Sequence, residues 1–499
     1  MKLEPGPRWL AVGRWFAVLA TVNVVVLAVV YMAYPGYIDH GESAISAMAW
    51  KMLGGHPVYH SFDDADRITN IYGPFVYLWH AWPLALFGGS VQSSKVAAMI
   101  AAILIPGAAW AIAGRRDALA GWLVAFVGVL VIVHLNAPMV VRPDAMLVGM
   151  VSASVLAVLW SERTARGWAT TLLIGIAAGI AVNIKIHAAV YLAPIALFHI
   201  WGDWRRLPVM ALTAAVVAVA PFGSRLFPLA DYLVWFGPMG AKENVWMGFA
   251  ILWWKFLLYF LPALLLGLGG RNAWAKADPA LRVYLGTYLA ALVLVLFPAT
   301  KVGAGDQYYM PFMPLVLDLS LRVLALGGPA ARQRLAVILV VLTAAGASYQ
   351  PERRFFKKQE WQLSAKVVDE IEQIMKDHPG KRIQMGVGRV PTERGDQLSF
   401  HFYVWHNLLV FAGNPYTIET SIMFELTKLG VPFPPAALDR FKTCDTQIWL
   451  VPKGGRPFFI QGYYLEPVFP KELVDGFKDN HRLIESRDIF DLWECTPVQ

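Results

Sequence analysis

The chain has 499 residues, of which 57% are hydrophobic and only 16% charged, and its mean hydropathy is +0.48. A soluble globular domain carries about 25% charged residues, so these proportions exclude a soluble protein. The net charge of +8 is no argument for nucleic-acid binding, because in a membrane chain the positions of Lys and Arg carry the information.

Apolar runs such as Phe16 to Val30, Leu119 to Val133 and Leu335 to Ala345 contain no charge, as helices crossing ~30 Å of hydrocarbon require. The first run is expected to be retained rather than cleaved, since no small-residue cleavage site follows it and further spans do. Basic residues fall in short breaks: Lys2, Arg8 and Arg14, then Arg115 with Arg116, Arg163 with Arg166, Arg205 with Arg206, Arg271 with Lys276, and Arg332 with Arg334. Placing every cluster in the cytoplasm gives about eleven spans, near 15–35, 94–113, 118–136, 145–161, 168–186, 188–202, 207–222, 247–269, 282–298, 308–326 and 333–349. Lys255 falls in the middle of the eighth, so it faces a polar cavity or the boundary is misplaced. An odd number of spans starting inside ends outside. The expectation is a polytopic α-helical membrane domain over 1–349 and a soluble, extracytoplasmic α/β domain over 350–499, in a bacterial cytoplasmic membrane.

The first outer loop, about 36–93, is far longer than a connector needs, and such loops are commonly functional. It contains Tyr37-Ile38-Asp39-His40-Gly41-Glu42, an amphipathic stretch Ser43 to Leu53, an acidic patch at Asp63, Asp64 and Asp66, and Tyr72-Gly73-Pro74-Phe75. Phe75 to Phe87 is too short to span and reads as an interfacial helix. The next outer turn holds Arg142-Pro143-Asp144. Lys185 and His187 follow at the end of the fifth span, and Lys301 to Tyr309 at the end of the ninth. Ionisable residues at membrane depth are costly and usually face a cavity.

Beyond Pro351 the chain turns charged, with a helical stretch at Lys366 to Met375 and strand-like runs at Gln447 to Val451 and Ile489 to Trp493. Both cysteines, Cys444 and Cys495, lie here. An oxidising compartment would let them pair, and two reduced buried thiols are the alternative. Arg456, Tyr463 and Tyr464 are candidates for binding an acceptor glycan, or for this domain's own core.

Carboxylates and cations at one membrane surface suit a lipid-linked phosphate whose head group reacts there. Lys and Arg stabilise the phosphate as a leaving group while a carboxylate takes a proton from the acceptor. At these residues the sequence resembles the GT-C class of polyprenyl-phosphate-dependent glycosyltransferases, the group that includes the protein O-mannosyltransferases and the lipid A aminoarabinose transferase. The resemblance covers roughly 15–325 in layout. It rests on Asp39 with Glu42, the pattern through Tyr59, Tyr72-Gly73-Pro74, Arg142-Pro143-Asp144 and the Lys185 turn. It implies a helical membrane domain and inverting transfer by single displacement. Many relatives have adjacent Asp-Glu after the first span, whereas Glu42 here stands three positions beyond Asp39. Tyr72-Gly73-Pro74 stands where several subfamilies have Lys-Pro-Pro or His-Pro-Pro, so neither a phosphate-binding Lys nor a metal-binding His carries over there.

The expected roles follow. Asp39 is the first choice for general base, against an N-cap on the following helix, and Asp144 is the second catalytic carboxylate, against an ion pair with Arg142. Glu42, Arg142, Lys185, Lys301, Tyr72 and Tyr308 are candidate donor-binding residues, against lipid snorkelling for the cations and interfacial placement for the tyrosines. A divalent cation (Mg, Mn or Zn) held by Asp39 and His40 stays open. The donor is expected to be a polyprenyl-phosphate sugar and the acceptor an envelope glycan, lipid or protein. A transporter or flippase of a lipid-linked or anionic substrate is the competing class, disfavoured by the lack of an internal repeat.

Overall fold

The computed structural model describes residues 7–69, 72–114, 119–134, 139–236, 244, 253–301, 304–327, 337–342, 357–389, 403–460 and 467–496. In chain order the helices are α1 (Pro7–Ala33), α2 (His40–Leu53), α3 (Pro74–Phe87), α4 (Val91–Ala113), α5 (Ala120–Val133), α6 (Asp144–Thr164), α7 (Gly167–Ile184), α8 (Ala189–Ile200), α9 (Arg206–Val219) and α10 (Leu229–Val234). They continue with α11 (Leu261–Lys276), α12 (Pro279–Ala299), α13 (Met313–Leu326), α14 (Lys358–Asp377), α15 (His406–Phe411), α16 (Thr420–Lys428), α17 (Pro435–Lys442) and α18 (Lys471–Asn480). The strands are β1 (Ile383–Met385), β2 (Gly388–Arg389), β3 (Ile448–Pro452), β4 (Arg456–Pro457), β5 (His481–Ser486) and β6 (Phe490–Cys495).

The chain is a multi-pass membrane protein: among the described residues seven helical segments are long and apolar enough to cross a bilayer, and Ala120–Val133 and Ile186–Ile200 are shorter apolar helices. These nine coincide with nine of the eleven expected spans. Of the other two, 333–349 lies largely outside the described residues. The eighth, expected over 247–269, is broken instead: 253–258 is helical, a turn follows, and α11 runs from Leu261 through the expected loop residues Arg271 and Lys276. Lys255 lies within the short helical stretch before this turn and forms an ion pair with Asp306, the kind of acidic partner that a lysine in an apolar segment calls for.

Two compact units are present. The first comprises Met1–Tyr31, Ala98–Pro221 and Glu243–Glu352. Its helices meet through small residues, as close membrane packing requires. A Cβ on Gly121 of α5 would sit 2.8 Å from the Arg14 backbone nitrogen of α1, and one on Gly179 of α7 would sit 2.5 Å from the Ala214 carbonyl of α9. Asp278 caps α12 by accepting from the Leu281 amide at 2.6 Å, with Pro279 in the first turn.

The second unit comprises Met32–Ala97, Phe222–Lys242 and Arg353–Gln499, so the long first loop groups with the C-terminal region. A four-stranded sheet runs β1-β3-β6-β5, with β1 parallel to β3 and the other pairs antiparallel. The expected strands are β3 and β6. The expected helix lies inside α14, whose buried residues Ser364, Val367, Ile371 and Ile374 recur at helical spacing. Cys444 and Cys495 form a disulfide with Cα atoms 5.5 Å apart. The loop is stitched to this region by backbone bonds, Arg67 N–H to the Thr417 carbonyl and Glu419 N–H to the Arg67 carbonyl, both 2.7 Å. An aromatic core of Tyr59, Tyr77, Tyr232 and Phe227 packs the same unit. Arg456 lies over the Phe459 ring at 4.3 Å, and Tyr463 and Tyr464 lie outside the described residues.

Candidate functional site

In the first unit the polar residues gather where α6 begins and α7 ends. Arg142-Pro143 stops the preceding chain from entering the helix, and Asp144 becomes the first residue of α6, where a carboxylate is favoured by the helix dipole. Lys185 follows the end of α7 in extended conformation, φ −145° and ψ 124°, which turns its side chain out of the helical register. Asp144 is 1% exposed. The Lys185 ammonium donates to its Oδ1 at 2.7 Å, and Arg142 Nε lies 3.3 Å from its Oδ2. Two cations on one carboxylate leave a positive surplus in a partly desolvated setting, a field suited to an anion. Lys185 Nζ also lies 4.7 Å from the Tyr308 ring centroid, and Tyr308 stacks on His187 at 5.0 Å and 16°. The structure therefore brings together Arg142, Asp144, Lys185 and Tyr308, which are scattered over the sequence. Lys301 is placed over the Phe297 ring at 5.6 Å, with its backbone bridged to Asn244.

Sequence reasoning did not single out Asp306, which belongs to the 3-10 turn Asp306–Phe312 that also carries Tyr308. It pairs with Lys255 and with His134 Nδ1 at 2.9 Å. His134 Nε2 in turn meets the Tyr259 hydroxyl at 2.6 Å, and Tyr288 donates to the Tyr259 carbonyl at 2.6 Å. The available signal was Lys255 itself: a lysine inside an apolar segment requires an acidic partner.

In the second unit, Asp39 and Glu42 form a capping box at the start of α2. Asp39 Oδ1 accepts from the Gly41 amide at 2.7 Å, while Glu42 Oε1 accepts from the amides of Ile38 at 2.8 Å and Asp39 at 3.0 Å. The helix-cap reading of Asp39 is thus realised, and its side chain keeps 29% exposure. Glu42 is fully buried. His40 Nδ1 lies 3.9 Å from Asp39 Oδ1, and among the described residues no three His, Cys, Asp or Glu side chains gather as metal ligands. With one Asp39 oxygen occupied by the helix cap, this pair is a poor donor set for a divalent ion. Tyr72 accepts the Tyr59 hydroxyl on its carbonyl at 2.7 Å and packs against the aromatic core.

Of the acidic patch, Asp66 is committed to structure: it pairs with Arg440, with Lys51 at 3.6 Å and with His60 at 3.9 Å. Burial pushes the Lys51 ammonium and the His60 imidazole down from their ordinary values, and Asp66 opposes both shifts.

The fold resembles that of the GT-C class of membrane glycosyltransferases. The family described as dolichyl-phosphate-mannose-protein mannosyltransferase matches residues 72–225, a segment that contains Arg142, Asp144 and Lys185. Among solved structures, the chain is similar to ArnT from Cupriavidus metallidurans bound to undecaprenyl phosphate, at TM-score 0.55 and 15% identity, covering 95% of this chain and 97% of that one. The apo state of the same ArnT aligns at TM-score 0.55 and 14% identity over the same shares. The Archaeoglobus fulgidus oligosaccharyltransferase complex with zinc and sulfate aligns at TM-score 0.43 and 13% identity, over 87% of this chain and 68% of that one. No curated protein matches the sequence.

Proposed function

We propose that the chain is an inverting glycosyltransferase that moves a sugar from a polyprenyl-phosphate donor to an envelope glycan, lipid or protein acceptor on the periplasmic side. The observation that carries this reading is the convergence of Lys185 and Arg142 on buried Asp144, beside Tyr308. Asp144 is doubly paired and sealed from solvent, so its role is to orient the two cations. They offset the donor phosphate, whose departure they favour as charge develops on the leaving oxygen. An acceptor hydroxyl or amine attacks the anomeric carbon from the face opposite the phosphate. The bond from that carbon to the phosphate oxygen breaks, its electron pair leaves with the polyprenyl phosphate, and the acceptor proton passes to a carboxylate. That base is Asp39, which is partly exposed and held by its own helix cap.

The ArnT structure with bound undecaprenyl phosphate supports a polyprenyl-phosphate donor. The Cys444–Cys495 disulfide supports an oxidising, extracytoplasmic location for the C-terminal region. The test is reconstitution in liposomes with a polyprenyl-phosphate sugar and an acceptor extract. Transfer yields glycosylated acceptor and released lipid phosphate, and Asp39→Asn abolishes it while leaving insertion intact. Movement of an unaltered donor across the bilayer would instead make the chain a transporter, and full transfer by Asp39→Asn would remove the base assignment.

A further inference from the structure

Lys95 enters none of the steps above, yet it is fully buried near the start of α4. A lysine there is ordinarily expected to snorkel toward water, and burying an ammonium is costly without close partners. Its partners are backbone carbonyls: Nζ donates to Tyr34 at 2.7 Å and to Gly36 at 2.6 Å. The same nitrogen lies 5.4 Å from the Tyr34 ring centroid and 5.6 Å from that of Tyr37, within the range of cation–π attraction. Both rings are fixed in turn. The Tyr34 hydroxyl accepts from Ser364 at 2.8 Å. The Tyr37 hydroxyl accepts from Asn407 at 3.1 Å and lies 2.7 Å from the Ser94 hydroxyl, and burial pushes it up to about 12. All of these residues belong to the second unit.

The segment from Tyr34 to Asp39 is therefore held by two buried charges of opposite sign. Lys95 takes the carbonyls of Tyr34 and Gly36, and Glu42 takes the amides of Ile38 and Asp39. Each charge is satisfied by the backbone and offset by the other, and the piece of chain between them carries the Asp39 carboxylate. We propose that Lys95 is a positioning residue that, in balance with Glu42, clamps residues 34–39 so that the Asp39 carboxylate is held in its reactive position. This inference rests on Asp39 being the base.

The experiment compares Lys95→Met, Lys95→Arg, Lys95→Met with Glu42→Gln, and Asp39→Asn in the full chain, reading donor KM, kcat, thermal unfolding in detergent and hydrogen exchange of the Ile38 and Asp39 amides. Lys95→Met is expected to lower kcat on the order of 10²-fold, the scale of an ångström misplacement of a reacting group, with donor KM unchanged and faster exchange at Ile38 and Asp39. Lys95→Arg keeps the charge and recovers part of kcat. The double variant removes both buried charges while Gln keeps an acceptor for the two amides, so it recovers kcat and slow exchange relative to Lys95→Met. Wild-type kcat in Lys95→Met, or a double variant no better than the single one, overturns the proposal even where Asp39→Asn is inactive. Activity in Asp39→Asn overturns the base assignment instead, while exchange at Ile38 and Asp39 still reports whether Lys95 clamps the segment.

Discussion

Replacing Cys444 and Cys495 together by serine removes a cross-link between the end of α17 and the last strand of the sheet. The two residues are separated by 51 positions, and closing a loop of that length removes about 14 cal/mol/K from the unfolded chain, or about 4 kcal/mol at 25 °C. Strand pairing next to the bond does not depend on it, since the Cys495 amide donates to the Gln447 carbonyl at 2.9 Å. The loss therefore falls on the unfolded state. Trp449 and Trp493 are register partners across β3 and β6, so their individually assigned NMR resonances, followed in urea under non-reducing conditions, report on this region. With a denaturant slope of about 2 kcal/mol/M the midpoint moves down by about 2 M. A shift below about 0.5 M would refute the reasoning, because it would mean that the cross-link does not constrain the unfolded chain.

Lys185→Met leaves Asp144 buried against Arg142 without its shorter partner, which is expected to destabilise the fold by about 3–5 kcal/mol. Adding Asp144→Leu restores most of the thermal stability but none of the transfer activity. His481 stacks on Phe477 at 4.0 Å, and burial pushes it down to about 4 from an ordinary value near 6.5. On acidification the unfolded chain takes up a proton that the folded chain refuses, so stability is complete above pH ~6.5 and falls as pH drops toward 4. The loss reaches about 3 kcal/mol, and His481→Gln flattens this pH dependence of the unfolding midpoint. Gly121→Val places a side chain against the α1 backbone, where 2.8 Å is available. It is expected to cost about 1–3 kcal/mol or more by overpacking, read as a lower unfolding temperature in detergent.

The spans and the later strands were legible because burial imposes long apolar runs, because β3 is a short apolar segment bounded by polar residues, and because β6 sets Phe490, Leu492 and Trp493 among carboxylates in a short β-prone run. Asp144 and Lys185 stood out for the opposite reason, as charges at the mouths of apolar helices. The Asp39-x-x-Glu42 spacing carried the capping box, which a local pattern encodes in full. Lys95 was not legible, since its partners lie some sixty residues earlier, at Tyr34 and Gly36, and are carbonyls that every residue possesses. Asp306 stayed hidden beside Tyr308 because its commitment to His134 and Lys255 is made by the fold. The turn at 259–260 was not legible because a hydropathy average over an apolar segment does not register a two-residue change of backbone geometry.

The Arg67 seam has a consequence for biosynthesis. Its guanidinium, buried at 1% exposure, donates to the Pro432 carbonyl at 3.0 Å across a separation of 365 residues. At roughly 5–20 residues per second of synthesis, that partner emerges roughly 20–70 s after the arginine does. The early loop must wait for nearly the whole polypeptide before it can close, so maturation of this unit is paced by the ribosome.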